Sequence, residues 1–415
     1  MPRPIRFGSD ALLYCAGDKA DKIFLLNRGR VLLTHVNVET GAETADIVEP
    51  GEFFGIKPVL GKFPREENAL AKESATVIAF TLSEFEALML SNERVIMKML
   101  KVFSNQLRRV HSHISSITKT QYVKSDYALF EIGENYMKTM RYSQAKYIFD
   151  RYMELYPEGE NAQEVMEQLW VLKKTQPPGE QSRASAGAQS GAKFPDGEGG
   201  AKPGPGFLTR FSRGFKPGEI IFSEHEPGNT FYLVQSGEVR LTKNTGKYEH
   251  TLDILRKSEL FGEMAILDKS PRTASAVAVD EVTLLEFTGE NFEILMRGYP
   301  QIAIKLLRVF STRIHNAKRR VMILTLPDPQ TKVADVFLML DETGKAAGEK
   351  TGGYSREFKV TAGDIAHWAG LEMTETKAAL DYYVVQRRIS VYADRMVIKN
   401  INDFSRLVAS RRYHG

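Results

Sequence analysis

Residues Phe261 to Ala276 read FGEMAILDKSPRTASA, and the spacing within this stretch sets the chemistry of a ligand. Gly262 and Glu263 stand nine residues before Arg272, which is followed by Thr273 and Ala274. The apolar run Met264 to Leu267 can form one helical turn, and Gly262 lets the backbone come close to an anion. Met264 and Ala265 supply the first free N–H groups of that turn. Arg272 adds a permanent forked cation for the same anion, and Glu263 accepts hydrogen bonds from a hydroxyl. An acid beside an anion site makes chemical sense only when the ligand also carries donors. The plain alternative is a surface ion pair between Glu263 and Arg272, worth under about 1 kcal/mol.

The pattern resembles the phosphate-binding cassette of cyclic-nucleotide-binding domains. That resemblance implies that Glu263 takes the ribose 2′-hydroxyl and that Arg272 takes the cyclic phosphate. The surrounding sequence repeats itself 207 to 208 residues apart. Leu13, Tyr14, Ile23, Phe24, Leu26, Gly29, Val31 and Leu33 stand opposite Ile221, Phe222, Phe231, Tyr232, Val234, Gly237, Val239 and Leu241. The alternating apolar residues and glycine turns predict short antiparallel strands. The register runs on into MKMLKVFSNQL at 97–107 against IKLLRVFSTRI at 304–314, so each half predicts a β-roll followed by a long helix. The first copy departs at the ligand positions. Ile56 replaces the acid, and Arg65 is followed by Glu66 and Glu67, which would repel a phosphate and could pair with the arginine instead. A structural or dimerising role is expected for it.

At 415 residues the chain has room for about two to four domains. No apolar run approaches the roughly 18 residues of a membrane span, and MPRPIRFGSD lacks the apolar core of a secretion signal. Cys15 is the only cysteine, which excludes an internal disulfide and a cysteine metal cluster and fits a reducing, cytoplasmic setting. The net charge of +4 is too small to argue for nucleic acid by itself. The eight histidines show no metal-ligand spacing, and no nucleophile–base arrangement stands out, so no catalytic residues, no metal site and no enzymatic role are expected.

Between the rolls, Ile132, Gly133, Tyr136, Ala145, Phe149 and Pro157 fit one tetratricopeptide-like unit, which the preceding helix and a helix near 161–174 with Trp170 must cover. It is read as a spacer, with a peptide-binding groove as the alternative. The Pro-, Gly- and Ser-rich stretch that follows predicts a flexible tether. After Pro327 and Pro329 a helix is expected with Val333, Val336, Phe337 and Leu340 on one face, then two further helices around Gly370 and two strands.

This order resembles the winged helix-turn-helix of the bacterial catabolite activator and fumarate-nitrate regulator family, and residues 207–415 resemble one full subunit of it. The resemblance implies a multidomain α+β chain. Residues 1–120 form a degenerate cyclic-nucleotide-binding-like domain, 121–174 a helical tetratricopeptide-like segment and 175–206 a linker. Residues 207–326 form a cyclic-nucleotide-binding domain with its long helix, and 327–415 a winged helix-turn-helix. The expected ligand is a cyclic purine mononucleotide, cAMP ahead of cGMP, held by Gly262, Glu263, Met264, Ala265, Arg272, Thr273 and Ala274, with Asn316 or Lys318 at the base. A homodimer through Ile302, Leu306, Val309 and Ile314 is expected, with pairing of the two halves inside one chain as the alternative. For duplex DNA the candidates are Thr374, Thr376, Lys377, Arg387 and Arg388. The family's Arg-Glu pair and the arginine one turn later on the reading helix are here Met373, Thr374 and Ala378, and residues 327–415 carry 13 Lys and Arg against 12 Asp and Glu. The rival reading is an adaptor whose helical insert and tail hold proteins.

Overall fold

The computed structural model describes residues 4–37, 42–118, 124–175, 208–245, 248–268, 270–291, 300–346, 353–392 and 395–412. The expected tether at 175–206 therefore lies outside the described residues, except for Thr175. The chain folds as two units, one formed by residues 1–120 with 300–415 and the other by 121–299.

Each half contains the same antiparallel β-roll. In the first, one sheet orders Pro4–Phe7, Ala75–Phe80, Ile23–Arg28 and Phe53–Phe54, and the other Leu12–Tyr14, Asn68–Ala71, Val31–Val36 and Glu43–Val48. The second roll repeats this with Ser212–Phe215, Val282–Thr288, Thr230–Ser236 and Leu260–Phe261, and with Ile220–Phe222, Ser275–Ala278, Val239–Thr245 and Tyr248–Leu255. Alternating apolar residues turn inward along these strands and fill the space between the sheets. An aromatic trio marks the same place in both cores. Tyr14, Phe24 and Phe54 stack in the first, and Phe222, Tyr232 and Phe261 in the second.

In the first unit the long helices Glu93–Ile117 and Pro300–Leu324 pack against each other. Ile96, Leu100, Phe103, Leu107, Val110 and Ile114 are buried on one, and Ala303, Leu307, Phe310, Ile314, Ala317 and Val321 on the other. Both sets follow the four-and-three spacing of a coiled-coil seam. Each residue of the second set lies 207 positions after its counterpart, as Ala303 lies after Ile96. This corrects the expected dimer stripe. The apolar face of the second long helix is covered within the chain, and of the four residues expected to face a partner only Ile314 belongs to this seam. A seam satisfied from inside the chain leaves no comparable apolar stripe on that face for a second copy.

The tail begins with helix Pro329–Ala346, where proline suits the first turn because its missing N–H is not needed there. Val333, Val336 and Phe337 are fully buried, as expected from their spacing. Helix Ala362–Ala369 starts in a capping box between Thr361 and Asp364 and stops at Gly370, and helix Met373–Val385 follows. Strands Arg356–Phe358, Met396–Ile398 and Ile389–Val391 then form a three-stranded sheet, and helix Ile401–Arg412 closes the core through Phe404.

In the second unit, helices Ser125–Lys138, Tyr142–Leu155 and Ala162–Thr175 stack side by side. Gly133 permits the first crossing, since a Cβ there would lie 2.3 Å from the Phe149 ring. Val165 and Leu172 of the third helix cover the pair, as expected of that helix, whereas its Trp170 is 59% exposed. The other face of the helices meets the second roll. Ile220 and Val277 of its outer sheet join the helical core, and Gln144 donates to the Gly218 carbonyl at 2.8 Å.

Phe310→Ala, at the centre of the helix seam, is expected to cost about 3–5 kcal/mol of stability. The urea midpoint of the unsubstituted chain should not depend on protein concentration. A midpoint that rises with concentration would place the seam between two chains.

Candidate functional site

Gly262 opens the short helix Glu263–Asp268 at φ +80°, a conformation that L side chains rarely adopt. A Cβ at this position would also lie 2.7 Å from Arg272 Nη1, so both the turn and the close approach require glycine. Glu263 is fully buried, and Met264 and Ala265 lie beneath it at 9% and 3% exposure. Arg272 is 5% exposed. Its Nη1 donates to the Gly262 carbonyl at 2.7 Å and its Nη2 to Thr230 Oγ1 at 2.9 Å. The guanidinium carbon sits 4.0 Å from the centre of the Phe222 ring, a cation–π contact. Burial pulls the Arg272 pKa down, opposed by the neighbouring Tyr232, Glu226 and Glu263.

The spacing therefore brings Gly262, Glu263 and Arg272 together, with Thr273 exposed and Ala274 half-buried at the start of strand Ser275–Ala278. Buried Arg272 Nε has no partner among the described residues. An anion approaching along the guanidinium edge would satisfy it, so this donor set fits a phosphate. Two contributors were missed in the sequence. Thr230 looks like any strand threonine, and Gly228 looks like any loop glycine, although a Cβ on it would lie 2.8 Å from Arg272 Nε. The Pro227–Gly228 turn could have signalled a loop folded onto the cassette.

The first roll keeps the arginine and changes its surroundings. Arg65 is 4% exposed, its Nη1 donates to the Gly55 carbonyl at 2.9 Å, and its guanidinium lies over Tyr14 at 4.2 Å. The sequence expectation that the two following acids could pair with Arg65 needs correction. Tyr14 donates to Glu67 at 3.0 Å, while Glu66 turns to the second long helix. There His315 Nδ1 lies 2.6 Å and Lys318 Nζ 3.1 Å from the Glu66 carboxylate, and His315 stacks on Phe63 with centroids 4.0 Å apart. Burial alone would raise the Glu66 pKa, but the His315 hydrogen bond and the charges of Lys318 and Lys57 outweigh it and bring it to about 2. Lys318, expected at a purine base, is thus engaged by the first roll. Asn316 beside it is half-buried.

On helix Met373–Val385, Thr374 and Lys377 are exposed. Thr376 is fully buried, with its hydroxyl donating to the Glu372 carbonyl at 3.0 Å, so it does not belong to any surface that meets DNA. At the helix N-terminus the Glu375 carboxylate accepts the Glu372 N–H at 3.0 Å. Arg387 is exposed at φ +56° just past the helix end, and Arg388 is half-buried. Tyr382 and Val385 are exposed on this helix at 49% and 82%. Among the described residues no group of side chains could hold a metal ion, and no helix is long and apolar enough to cross a membrane.

Duplicated rolls, each with a buried arginine folded back on a left-handed glycine, define a tandem cyclic-nucleotide-binding-domain protein. Residues 4–92 and 212–299 both match the cyclic nucleotide-binding domain family. The chain is 31% identical over 172 residues to the CRP-like cAMP-activated global transcriptional regulator of Mycobacterium tuberculosis, covering 40% of this chain and 75% of that one. It is 37% identical over 139 residues to the cyclic AMP receptor protein of Thermus thermophilus, covering 33% of this chain and 64% of that protein, just under two thirds of its length. A shorter match of 82 residues, 35% identical, links 20% of this chain to 17% of a cAMP-dependent protein kinase regulatory subunit of Hypocrea atroviridis. The chain belongs to the CRP-like family of cyclic-nucleotide-binding regulators.

Glu66 is depressed in the folded protein, so its contribution to stability is present above the ordinary carboxyl value of 4.5 and is lost as pH falls through about 2. The contribution at neutral pH is on the order of a few kcal/mol. Glu66→Gln should flatten the fall in melting temperature between about pH 4.5 and 2. An acid limb of equal slope in both proteins would show that the His315–Lys318 contact contributes little.

Proposed function

We propose that the second roll binds a cyclic purine mononucleotide, cAMP ahead of cGMP, and that the chain acts as a nucleotide-responsive transcription regulator. The observation that carries this reading is the buried Arg272, with its free Nε edge, beside the buried Glu263 at a glycine turn. A cyclic phosphate satisfies the arginine, and the ribose 2′-hydroxyl supplies the donor that a buried carboxylate requires. Gly262, Met264, Ala265, Thr273 and Ala274 shape the rest of the site. The first roll lacks the acid, and the glutamate after its arginine is bound to the second long helix, so one nucleotide per chain is expected. The relatives, a cyclic AMP receptor protein and a cAMP-activated transcriptional regulator, support cAMP and the regulatory role.

Transmission would run along the long helix Pro300–Leu324. Within one short stretch this helix is held from two directions. His315 and Lys318 bind Glu66 of the first roll, while Arg319 makes a two-pronged ion pair with Asp335, and Arg320 Nη2 donates to the His367 carbonyl at 2.7 Å. Arg320 also lies over Trp368 at 5.5 Å, and burial pushes its pKa down to about 10. A shift of this stretch would therefore move helix Ala362–Ala369 and, through it, the helix after Gly370. Nucleotide would act by favouring one of two positions of that stretch, to the extent that it binds them with different affinity.

Thr374, Lys377, Arg387 and Arg388 are the proposed DNA contacts. The exposed Tyr382 and Val385, with Asp381 beside them, favour a second reading in which this face holds a protein. Duplex binding measured against salt separates the two. A DNA role requires that the logarithm of the affinity fall linearly with the logarithm of salt, and flat or absent binding with saturating nucleotide would favour the adaptor.

In titration calorimetry with cAMP and cGMP, Arg272→Ala is expected to abolish binding. Glu263→Gln should weaken it by roughly 1.5–3 kcal/mol. Arg65→Ala should leave stoichiometry and affinity unchanged if it folds, and loss of one of two bound nucleotides in that variant would overturn the single-site reading.

A further inference from the structure

The helical segment Ser125–Thr175 touches the second roll at the loop that carries the arginine's backbone. His225, at φ +69°, donates its N–H to the Arg272 carbonyl at 2.9 Å, and the Arg272 N–H donates to the Glu226 carbonyl at 2.8 Å. These two bonds fix where the guanidinium starts. The Glu226 side chain is 4% exposed and holds the loop closed by accepting the Ser223 N–H at 2.9 Å. Its other oxygen accepts from Arg151 Nε of helix Tyr142–Leu155 at 3.2 Å, and the Tyr147 hydroxyl of the same helix favours the ionised carboxylate. A carboxylate this buried is costly without its counter-charge, and burial already acts to raise its pKa.

A second strut reaches the next residue. Lys243 Nζ donates to the Thr273 carbonyl at 3.2 Å and lies 3.9 Å from Glu224. Glu224 accepts the Asn244 N–H at 2.6 Å, and the Asn244 amide oxygen accepts from Asn135 of helix Ser125–Lys138 at 3.1 Å. Arg272 is thus braced from outside the roll through Glu226 and Arg151, and Thr273 from within it by Lys243, whose neighbour Asn244 is held by Asn135.

We propose that the helical segment is a working part of the nucleotide site, with Arg151 and Tyr147 as positioning residues that hold Arg272 in place through Glu226. The inference rests on the reading that Arg272 binds a cyclic phosphate. Neither helix residue needs to touch the ligand. Without Arg151 the Glu226 carboxylate either takes up a proton or turns toward water, and either change loosens the loop bonded to Arg272 on both sides. A binding partner that shifts the helical segment would change nucleotide affinity, and nucleotide would change affinity for that partner by the same factor.

The test uses the full chain in titration calorimetry with cAMP and cGMP, together with hydrogen exchange in the absence of nucleotide. Arg151→Ala is expected to weaken nucleotide binding tenfold or more, and Arg151→Lys to recover part of the loss. Gln144→Ala removes the hydrogen bond to the Gly218 carbonyl from the same interface, at the opposite end of strand Ile220–Phe222 from the loop, and should change affinity less than twofold. Equal losses in Gln144→Ala and Arg151→Ala would mean general undocking and would overturn the positioning role. So would unchanged affinity in Arg151→Ala when the unsubstituted chain binds, and that result would leave the nucleotide reading standing. Faster exchange over residues 223–228 and at Arg272 in Arg151→Ala, with strand Thr230–Ser236 unchanged, is expected whether or not nucleotide binds. If the unsubstituted chain binds neither nucleotide, the function reading fails, and unchanged exchange would then remove the positioning claim as well.

Discussion

The seam between helices Glu93–Ile117 and Pro300–Leu324 is the contact on which the first unit depends. A 25-residue helix with one apolar stripe needs a partner of similar length, because helical propensity alone contributes little in water. Here the partner is the other copy of the same helix, and the stripes Ile96 to Ile114 and Ala303 to Val321 are both buried. The small Ala303 and Ala317 stand at the heptad positions where the first copy has Ile96 and Val110. The first roll and the tail are then brought onto one helix, within the six residues from His315 to Arg320.

Duplication followed by divergence explains why two rolls of one topology do different work. Both arginines fold back on the carbonyl of a left-handed glycine and both lie over an aromatic ring, Tyr14 in one and Phe222 in the other. The difference lies in their neighbours. With Ile56 in place of an acid and Glu66 in place of a hydroxyl residue, the first roll has exchanged ligand contacts for an ion pair with the second long helix. The second roll keeps the acid and the hydroxyl, and it gains the helical segment as an outer brace.

Much of this was legible from residue order. The 207-residue register placed the strands and long helices correctly, because inward-facing positions of a roll and of a seam repeat with their own periods. That Gly262, Glu263 and Arg272 come together was legible from their spacing, which the structure brings to one glycine turn. Thr376 and Lys318 show where reading the sequence alone stops. Both lie on helices, and the direction a helical side chain faces depends on which stripe the partner elements cover. Thr376 proved to be core, and Lys318 proved to face Glu66. The third helix covers its neighbours as expected, and only the structure shows that it does so with Val165 and Leu172 while Trp170 stays exposed.

The sequence by itself determined that the chain contains two copies of one roll, that only the second has an acid after the glycine and nine residues before the arginine, and that a small α/β tail follows. These follow from local spacing and residue chemistry, which need no knowledge of distant contacts. Only the tertiary structure decided that the two long helices pair within one chain, that Glu66 grips the second of them, and that Arg151 reaches Glu226 behind Arg272. Those contacts join residues 75 to more than 200 positions apart, and nothing in the local pattern of an arginine or a glutamate states which buried charge will be its partner.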